Sequence, residues 1–273
     1  MPVTAHDKAV RFRALHEGPA FVIPNPWDAG SARMLESLGF QALATSSGAQ
    51  AAVLGRRDGQ VSRDEALAHA RLIVEAVDLP VSADFERGFG DAPEVVAETV
   101  RLAADVGLVA CSIEDATADR DKPLYDFEAA RERVAAAVRA ARALPFPFMV
   151  TGRTESFLRP NPSLPDTIAR LRAFEEAGAD VLMAPGLPDL AAVRAVCAAV
   201  GKPFNFMAGI KGKSFTVPEL VAAGVKRISL ATSLYRMAMT GAFEAAREVK
   251  EGGTFGYIDR SLATSDMYKF LKG

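Results

Sequence analysis

Short apolar runs alternate with longer amphipathic segments along most of the chain, from about residue 20 to residue 240. The short runs are continuously apolar, which is typical of strands that are buried on both faces in a parallel sheet. We therefore predict eight strands. They lie at residues 21–26, 42–47, 81–86, 110–115, 148–153, 180–185, 204–209 and 227–232.

The segments between these strands have the spacing of apolar residues that amphipathic helices show, and several end in glycine, a common helix stop. Eight strands separated by helices predict an α/β fold, a single (β/α)8 TIM-type barrel spanning residues 1–273. Such barrels commonly have about 250 residues. A doubly wound open sheet is the alternative, but the turn after the first strand, NPWDAGSARML, lacks the GxGxxG of dinucleotide-binding sheets.

The end of the chain, residues 240–273, is predicted to be a C-terminal helical extension of this domain. Its tail is rich in large apolar residues, namely Phe255, Tyr257, Ile258, Met267, Tyr268, Phe270 and Leu271. Leaving these side chains in water would be costly. The tail either folds back onto its own barrel or packs on a neighbouring subunit. We favour the neighbour, which predicts C-terminal helices that are swapped between subunits.

The composition is that of a globular protein with a large core, since 49% of the residues are hydrophobic and 24% are charged. The formal net charge is −2, and no dense basic run is present, which argues against nucleic acid or an anionic membrane as a partner. Cys111 and Cys197 lie in apolar stretches, so we expect buried reduced thiols and no zinc site. No segment resembles a signal peptide or a membrane span, so we expect a cytoplasmic protein.

Carboxylates gather where the predicted strands end, which is the edge that carries the active site in (β/α)8 barrels. Asp84 and Glu86 lie two residues apart on the third predicted strand, so both are expected on one face. Two adjacent like charges are unfavourable without a compensating cation. Oxygen ligands suit Mg²⁺ or Mn²⁺, and the sequence therefore predicts a metal site. Its predicted ligands are Asp84, Glu86, Glu114 and Asp58.

The alternative to a metal site is a set of structural salt bridges. The arginines available for it are Arg56, Arg57, Arg87 and Arg153. Asp115 and Glu155 are the weakest candidates for a functional role, because each could equally cap a helix or orient Arg153.

The same edge offers groups that bind a carboxylate. Arg153 ends the fifth predicted strand, and a guanidinium can hold a carboxylate through two parallel hydrogen bonds. The turn Ser46–Ser47–Gly48 adds hydroxyl and backbone N–H donors, and Asn205 lies close to the end of the seventh strand. We predict that these residues bind a small 2-oxo or 2-hydroxy acid, although the turn could simply need small residues. The residues predicted to take part in catalysis are Arg153, Glu114 and Ser46.

Together, the residues described above resemble those of the isocitrate lyase/phosphoenolpyruvate mutase superfamily, and the resemblance extends over nearly the full length of the chain. The resemblance is carried by PNPWDAGSARMLESLGFQALATSSGA, LGRRDG, VSADFERGFGD, CSIEDAT and VTGRTESF, in this order and spacing. It implies a barrel whose eighth helix is swapped between subunits of a dimer of dimers, hence a homodimer or homotetramer here. It also implies an enzyme that binds Mg²⁺ and stabilises the enolate of a 2-oxo acid while a C–C or C–P bond is made or broken.

The resemblance also implies roles for single residues. Asp84 matches the closest metal ligand, and Glu86 stands where the family usually has a second aspartate. The residues that match its remaining metal-binding carboxylates are Glu114 and Asp58. Residues 46–48 match the segment that cradles the substrate carboxylate, and Arg153 matches the arginine that binds it.

One departure from the family affects the mechanism. The classical lyases carry a Lys-Lys/Arg-Cys-Gly-His loop after the glutamate of strand four, and its cysteine is the general acid/base. Here residues 113–130 read IEDATADRDKPLYDFEAA, with neither cysteine nor histidine. The three histidines, His6, His16 and His69, are expected away from the strand ends. The remaining candidates for proton transfer are Glu114, Glu155, Lys122, Tyr125 and a metal-bound water.

These observations favour a Mg²⁺-dependent lyase that acts on a C–C bond of a small 2-oxo or 2-hydroxy (di)carboxylic acid through a metal-stabilised enolate. Decarboxylation of an oxaloacetate-like acid is the simplest such reaction, because it needs little beyond enolate stabilisation. One alternative is a C–P bond mutase or hydrolase, for which Arg120, Lys122 or Arg159 would supply cationic contacts. The other is a non-catalytic protein that binds a 2-oxo acid.

Overall fold

Eight parallel strands form the sheet of the computed structural model, which describes residues 3–271. The strands are β1 (Phe21–Ile23), β2 (Leu43–Ala44), β3 (Val81–Asp84), β4 (Ala110–Glu114), β5 (Met149–Arg153), β6 (Val181–Met183), β7 (Phe204–Met207) and β8 (Arg227–Ser229). They pair in the order β1-β8-β7-β6-β5-β4-β3-β2. This order confirms the predicted TIM-type barrel, because a doubly wound sheet reverses its strand order part-way across.

Helices surround the strands, and seven of those in the described range begin at a side chain that caps them. They are α1 (Ala5–Glu17), α2 (Ala29–Ser37), α3 (Ser47–Val53), α4 (Arg63–Ala76), α5 (Pro93–Asp105), α6 (Phe127–Arg142), α7 (Leu164–Glu176), α8 (Leu190–Ala199), α9 (Val217–Ala222), α10 (Ser233–Gly252) and α11 (Thr264–Tyr268). Two 3₁₀ turns lie at Ser156–Leu158 and Gly256–Arg260. Capping boxes, in which the cap side chain and the third helical residue exchange hydrogen bonds, begin α1, α2, α4 and α9.

Glycines end several helices just before a strand, as the sequence predicts. Gly107, Gly178 and Gly224 follow α5, α7 and α9 with φ of 85°, 94° and 95°. This left-handed conformation is strained for other residues, so glycine lets the chain leave each helix and enter β4, β6 or β8 within a few residues.

β1 and β2 close the barrel through few hydrogen bonds. The Ala44 N–H donates to the Pro24 carbonyl at 3.0 Å. The buried side chain of Asn25 donates through Nδ2 to the Thr45 carbonyl at 3.0 Å and accepts from the Leu230 N–H at 2.9 Å. One asparagine therefore links the ends of β1, β2 and β8. Sequence reasoning missed it, although an asparagine between two prolines was a signal, because proline offers no N–H for strand pairing.

The amino end of the barrel is covered by α1. Its residues Ala9 and Phe12 are fully buried in one cluster with residues at or beside the starts of strands, among them Val109, Met149 and Val181. The rest of the core lies mainly between the strands and the surrounding helices. The carboxyl ends of the strands are therefore the accessible mouth of the barrel.

Seven of the eight predicted strands end earlier in the structure than predicted, and two of these differences bear on the site. β2 ends at Ala44 and not at residue 47, because Ser46 caps α3 and its Oγ accepts a hydrogen bond from the Ala49 N–H at 3.4 Å. β3 ends at Asp84, and Glu86 has a left-handed backbone with φ of 49°. Asp84 and Glu86 therefore do not share a face of one strand; the chain turns between them.

Arg227 lies buried inside the barrel, and no carboxylate among the described residues is within salt-bridge distance of it. It donates to Asn205 Oδ1 at 2.8 Å and to Thr151 Oγ1 at 2.9 Å, and its Nη1 is 3.3 Å from His16 Nε2. Burial lowers the pKa of Arg227 to about 9, which leaves it charged at neutral pH. Asn205 also donates to Ser229 Oγ at 3.0 Å. Both polar ends of Asn205 thus have interior partners, and its contact with a substrate stays a prediction.

We expect His16 to make the protein less stable in acid. Burial and the charge of Arg227 lower the pKa of His16 to about 3, well below the value of about 6.5 for an unfolded chain. The unfolded state therefore binds the proton more readily, so stability is full above pH 6.5 and falls progressively as the pH drops toward 3. At pH 5 this group alone should cost about 2 kcal/mol of unfolding free energy relative to pH 7.

Urea denaturation at pH 7 and pH 5 measures this effect. The unfolding free energy of His16→Gln should fall less between the two pH values than that of the wild type, by roughly the same 2 kcal/mol. His6→Gln, which replaces an exposed histidine of the same helix, is the matched control and should behave as the wild type. An equal loss in His16→Gln and wild type would contradict the prediction.

α10 begins against the barrel, where Leu234 packs on the core, but none of its residues is fully buried. Met237 and Phe243 are 68% and 66% exposed. The predicted extension at residues 240–273 starts inside this helix, and its last two residues lie outside the described range. A swap between subunits, and a homodimer or homotetramer, would cover these side chains. The swap and the oligomeric state both stay predictions. The molar mass in solution would check the oligomeric state.

Among the described residues, no helix combines the length and the apolar character needed to span a bilayer. The cytoplasmic location stays a prediction.

Candidate active site

A cavity of about 580 Å³ opens at the carboxyl ends of the strands. It is lined from the loops that follow β2, β3, β4 and β5, and it brings together most of the polar residues singled out in the sequence. The charged and hydroxyl residues that line it are Ser47, Asp58, Glu86, Arg87, Glu114, Thr117, Arg120, Arg153, Glu155 and Arg159.

Arg153 lies among carboxylates at the base of this site. Its Nε is 2.6 Å from Glu155 Oε1 and 3.3 Å from Glu114 Oε2, and its Nη1 is 3.4 Å from Asp84 Oδ1. The sequence suggested that Glu155 could orient Arg153, and the contact between these two side chains is present in the structure. The predicted bond from Arg153 to a substrate carboxylate stays a prediction, and it would compete with these contacts.

Asp84 is held by the segment that was expected to bind the substrate. Its Oδ2 accepts from the Ser47 N–H at 3.3 Å and from Ser47 Oγ at 3.0 Å, and its backbone N–H donates to Thr45 Oγ1 at 3.1 Å. Its Oδ1 accepts from the Glu86 N–H at 3.2 Å. The turn after β2 thus fixes the orientation of the Asp84 carboxylate.

Gly48 is needed for the close approach of two loops. A Cβ at this position would lie 3.0 Å from Thr232 Cγ2 and 3.2 Å from Asp58 Oδ2. The turn therefore needs a small residue at position 48, because the Asp58 carboxylate and Thr232 occupy the space that a side chain would need. Ser46 is buried and caps α3.

Burial and mutual repulsion make these carboxylates weaker acids than usual. Burial, followed by the charges of Asp84 and Asp58, raises the pKa of Glu86 to about 7. Burial and Asp84 also raise the pKa of Asp58, although the side chain keeps contact with solvent. Burial raises the pKa of Glu114 well above its usual range, and Arg153 offsets only part of that effect. Burial is the largest cause for each of these three carboxyls, and repulsion from neighbouring carboxylates adds to it.

A divalent cation fits this donor set. Within residues 3–271, no three carboxylate, histidine or cysteine side chains converge closely enough to enclose an ion, and Arg153 lies among three of the carboxylates. Burial and mutual repulsion disfavour the charged forms of Glu86, Asp58 and Glu114, and a cation would offset both effects. The available donors are oxygens, which Mg²⁺ and Mn²⁺ prefer. The residues that would hold the ion are Asp84, Glu86, Glu114 and Asp58, and this set stays a prediction.

Other sequence candidates lie away from the cavity. Lys122 donates to Asp126 Oδ2 at 2.6 Å, and the Tyr125 hydroxyl donates to Asp91 Oδ1. Neither lines the cavity. Asp115 is buried, where it accepts from the Glu155 N–H at 2.9 Å and pairs with an arginine of α7 at 3.2 Å. These contacts support the loop after β5 and differ from the two roles considered for Asp115, capping a helix and orienting Arg153.

The fold and the cavity together have the features of a barrel enzyme, because titratable groups with perturbed pKa values surround an arginine at the carboxyl ends of the strands. A sequence model of the phosphoenolpyruvate phosphomutase family matches residues 12–250. This is most of the chain, and the chain belongs to that family. The match confirms the resemblance noted in the sequence.

Relatives of this chain include named enzymes. The solved structure of a proposed lyase/mutase from Burkholderia cenocepacia J2315 is 50% identical, with a TM-score of 0.96 over 97% of this chain and 96% of that one. The 2-methylisocitrate lyase of Shewanella oneidensis is 29% identical over 96% of this chain and 92% of its own length. A structure of oxaloacetate acetylhydrolase with its product oxalate is 25% identical, with a TM-score of 0.88 over 98% and 94% of the two chains.

These relatives confirm that the protein is an enzyme of the carbon–carbon lyase and mutase superfamily. The alternative prediction, that the protein binds a 2-oxo acid without catalysis, is therefore not favoured. Members of the superfamily depend on a divalent metal and act on small carboxylic acids.

Proposed function

We propose that this protein is a Mg²⁺-dependent lyase that cleaves a C–C bond in a small 2-oxo or 2-hydroxy (di)carboxylic acid through an enolate. The observation that carries the proposal is the cluster of three carboxylates, Asp84, Glu114 and Glu155, that lie within 3.4 Å of Arg153 at the mouth of the barrel. Such a cluster attracts a cation and places an arginine beside it. A 2-oxo acid would suit such a site, because its oxygens would be donors to a cation held by these carboxylates, and its carboxylate would accept hydrogen bonds from Arg153 and Ser47.

The simplest reaction of this kind is the decarboxylation of an oxaloacetate-like acid. The bond between C3 and C4 breaks, CO₂ leaves, and the electron pair remains as an enolate that takes up one proton to give a pyruvate-like product. A bound divalent cation supplies positive charge that offsets the charge of the enolate. Arg153 adds a fixed positive charge in a partly buried site, where electrostatic stabilisation is stronger than in water.

The proton must come from a group in the cavity. Of the predicted carriers, Glu114 and Glu155 line it, whereas Lys122 and Tyr125 are bound to other side chains outside it. Both carboxyls contact Arg153 Nε, at 3.3 and 2.6 Å. We assign proton delivery to this pair, because both carboxyls line the cavity and lie next to Arg153.

C–P bond mutase or hydrolase activity is the second candidate. It is favoured by Arg120 and Arg159, which line the cavity and which a phosphonate group would need. The family name also points to phosphoryl chemistry. The third cation considered for this role, Lys122, does not line the cavity.

Thermal unfolding with a panel of small acids tests the proposal. The panel contains pyruvate, oxalate, oxaloacetate, 2-oxoglutarate, isocitrate, malate and phosphonopyruvate, each with Mg²⁺ and with EDTA. A ligand at about a hundred times its dissociation constant should add roughly 2.7 kcal/mol to the unfolding free energy. We expect 2-oxo acids to raise the unfolding temperature only when Mg²⁺ is present. Equal shifts in EDTA, or no shift with any acid, would count against the proposed site.

A further inference from the structure

A buried arginine of α6 binds the backbone of the loop that follows β3. Arg133 is 2% exposed, and its guanidinium donates to the carbonyls of Arg87, Gly90 and Asp91, the second of them at 2.8 Å. Arg133 does not line the active-site cavity. Because a guanidinium holds its N–H donors in a rigid planar fork, three carbonyls bound to one such group fix the conformation of residues 87–91.

This loop begins with a predicted metal ligand, Glu86, whose backbone conformation needs support. Glu86 and Phe89 have left-handed backbones with φ of 49° and 63°, which are strained for residues other than glycine. Such conformations persist where the surrounding structure over-determines them. The Glu86 carbonyl accepts from the Glu114 N–H at 3.0 Å, and the Glu86 N–H donates to Asp84 Oδ1 at 3.2 Å. The carbonyls bound by Arg133 begin at the next residue, so Arg133 holds the turn that directs the Glu86 side chain.

The same guanidinium also contacts the loop that follows β4. Its Cζ lies 4.2 Å from the centre of the Tyr125 ring, and the Tyr125 hydroxyl donates to Asp91 Oδ1. The Tyr125 N–H donates to the Asp115 carbonyl at 2.9 Å, directly after Glu114. Both loops line the cavity. Arg133 therefore joins two loops that each start beside a predicted metal ligand.

A second arginine of α6 makes contacts of the same kind at the other end of the barrel. Arg142 donates to the carbonyls of Phe148 at 3.2 Å and Gly178 at 3.1 Å, and it pairs with Asp180 at 2.7 Å. These residues lie just before the starts of β5 and β6. Both arginines bind α6 to backbone carbonyls, but Arg133 binds a loop at the mouth of the barrel and Arg142 binds loops at its amino end.

We propose that Arg133 is a positioning residue for divalent-metal binding. It holds the loop after β3 so that the Glu86 carboxylate stays beside Asp84, and it touches neither the ion nor the substrate. The inference rests on the proposed function, because Glu86 and Asp84 belong to the metal ligands predicted there. When the loop is released, Glu86 can leave its left-handed conformation, and its carboxylate no longer has a fixed place beside Asp84. The affinity for the cation then falls although all four predicted ligands are still present.

Calorimetric titration of the metal-free protein with Mg²⁺ alone tests the inference. We expect Arg133→Met to weaken Mg²⁺ binding by about ten- to a hundredfold, the usual effect of losing a group that orients a metal ligand. Arg133→Lys keeps the buried charge but offers one ammonium in place of the planar fork, so its affinity should lie between those of Arg133→Met and the wild type. If Arg133→Met does not fold, Arg133→Lys takes its place in each comparison.

The matched control is Arg142→Met. It removes an arginine of the same helix that also binds two carbonyls, so it should lower the unfolding temperature while Mg²⁺ binds as in the wild type. An arginine that only attached α6 to the barrel would behave in the same way when replaced at position 133. Mg²⁺ affinity therefore distinguishes a positioning role from a purely structural one.

A double variant shows whether Arg133 acts through Glu86. Glu86→Gln removes the charge of the predicted ligand, and adding Arg133→Met to it should weaken Mg²⁺ binding by no more than about twofold further. Two independent effects would instead multiply. Full multiplication of the two single losses would overturn the inference, because Arg133 would then act on the ion by another route.

Amide hydrogen exchange of the metal-free proteins measures the loop directly. The Gly88 N–H, which donates to the Phe85 carbonyl at 2.7 Å, lies inside the segment that Arg133 holds. In Arg133→Met we expect residues 86–91 to exchange at least about tenfold faster than in the wild type, and in Arg142→Met at the wild-type rate. Unchanged exchange of this segment in Arg133→Met would overturn the inference.

The outcomes separate this inference from the proposed function. If the wild type binds Mg²⁺ and both Arg133 variants bind it equally well, Arg133 is a structural arginine and the proposed function stands. If Arg142→Met weakens Mg²⁺ binding as much as Arg133→Met does, the effect is one of general stability and the inference is again overturned. If the wild type binds no Mg²⁺, the proposed metal site and the inference built on it both fall.

Discussion

Replacement of Asp84 by asparagine is expected to lower kcat/KM by about a thousandfold or more with any 2-oxo acid that the wild type turns over. Asp84 is the carboxylate on which the site converges, since Ser47 holds one of its oxygens and Arg153 the other. Asparagine keeps the size of the side chain but removes the charge that would hold a divalent cation. The unfolding temperature of Asp84→Asn should also lose its dependence on Mg²⁺.

The comparison needs a control that changes the same functional group elsewhere. Asp78→Asn replaces an exposed aspartate just before the start of β3 and should keep wild-type activity and the wild-type response to Mg²⁺. Asp84→Asn with nearly full activity, or with an unchanged response to Mg²⁺, would show that Asp84 is a structural carboxylate.

Replacement of Arg153 by methionine is expected to lower the unfolding free energy by about 3–5 kcal/mol without added metal. The side chain is only 12% exposed, and its loss leaves Asp84, Glu114 and Glu155 without the cation that they share. Uncompensated buried charge is costly, and methionine fills a similar volume without offering a donor. Activity should be lost as well.

Metal should partly reverse this loss. With Arg153 gone, the remaining carboxylates attract a cation more strongly, so Mg²⁺ should raise the unfolding temperature of Arg153→Met more than that of the wild type. Arg56→Met is the control, because the exposed pair of Arg56 with Glu65 at 2.8 Å should contribute at most about 1 kcal/mol. If Arg153→Met is as stable as the wild type, or if Mg²⁺ stabilises it no further, the carboxylates are not coupled through Arg153 as described.

The location of the site was predictable because barrel topology brings strand ends together. Asp84, Glu114 and Arg153 each end a strand that the apolar pattern already marked, and parallel neighbours place their carboxyl ends at one edge. The alternation of strands and helices likewise predicted the barrel. Both inferences depend on local pattern and connectivity, which are properties of the sequence.

The pairing of charges within the site was not predictable in the same way. The sequence offered Arg153 as a ligand for substrate, whereas the structure surrounds it with three carboxylates, which come from the ends of β3 and β4 and from the loop after its own strand. Ser47 was expected to bind the same substrate group, which stays a prediction, and the structure adds a contact in which it holds Asp84. Which of several donors and acceptors pair depends on distances of a few tenths of an ångström between chain segments far apart in sequence, and spacing along the chain contains no such information.

The positions of the strands, their order around a barrel, the family and the edge at which the polar residues meet could all be predicted from the residues along the chain. Only the tertiary structure decided that Glu86 lies beyond the end of its strand, that Asn205 bonds Arg227 inside the barrel, and that Asn25 closes the seam between β1 and β2. It also brought Arg87, Arg120 and Arg159 to one side of the cavity. The physical reason is that apolar periodicity reports which face of an element is buried, whereas the direction of a polar side chain at a strand end is set by loop conformation and by the partners that packing places within reach.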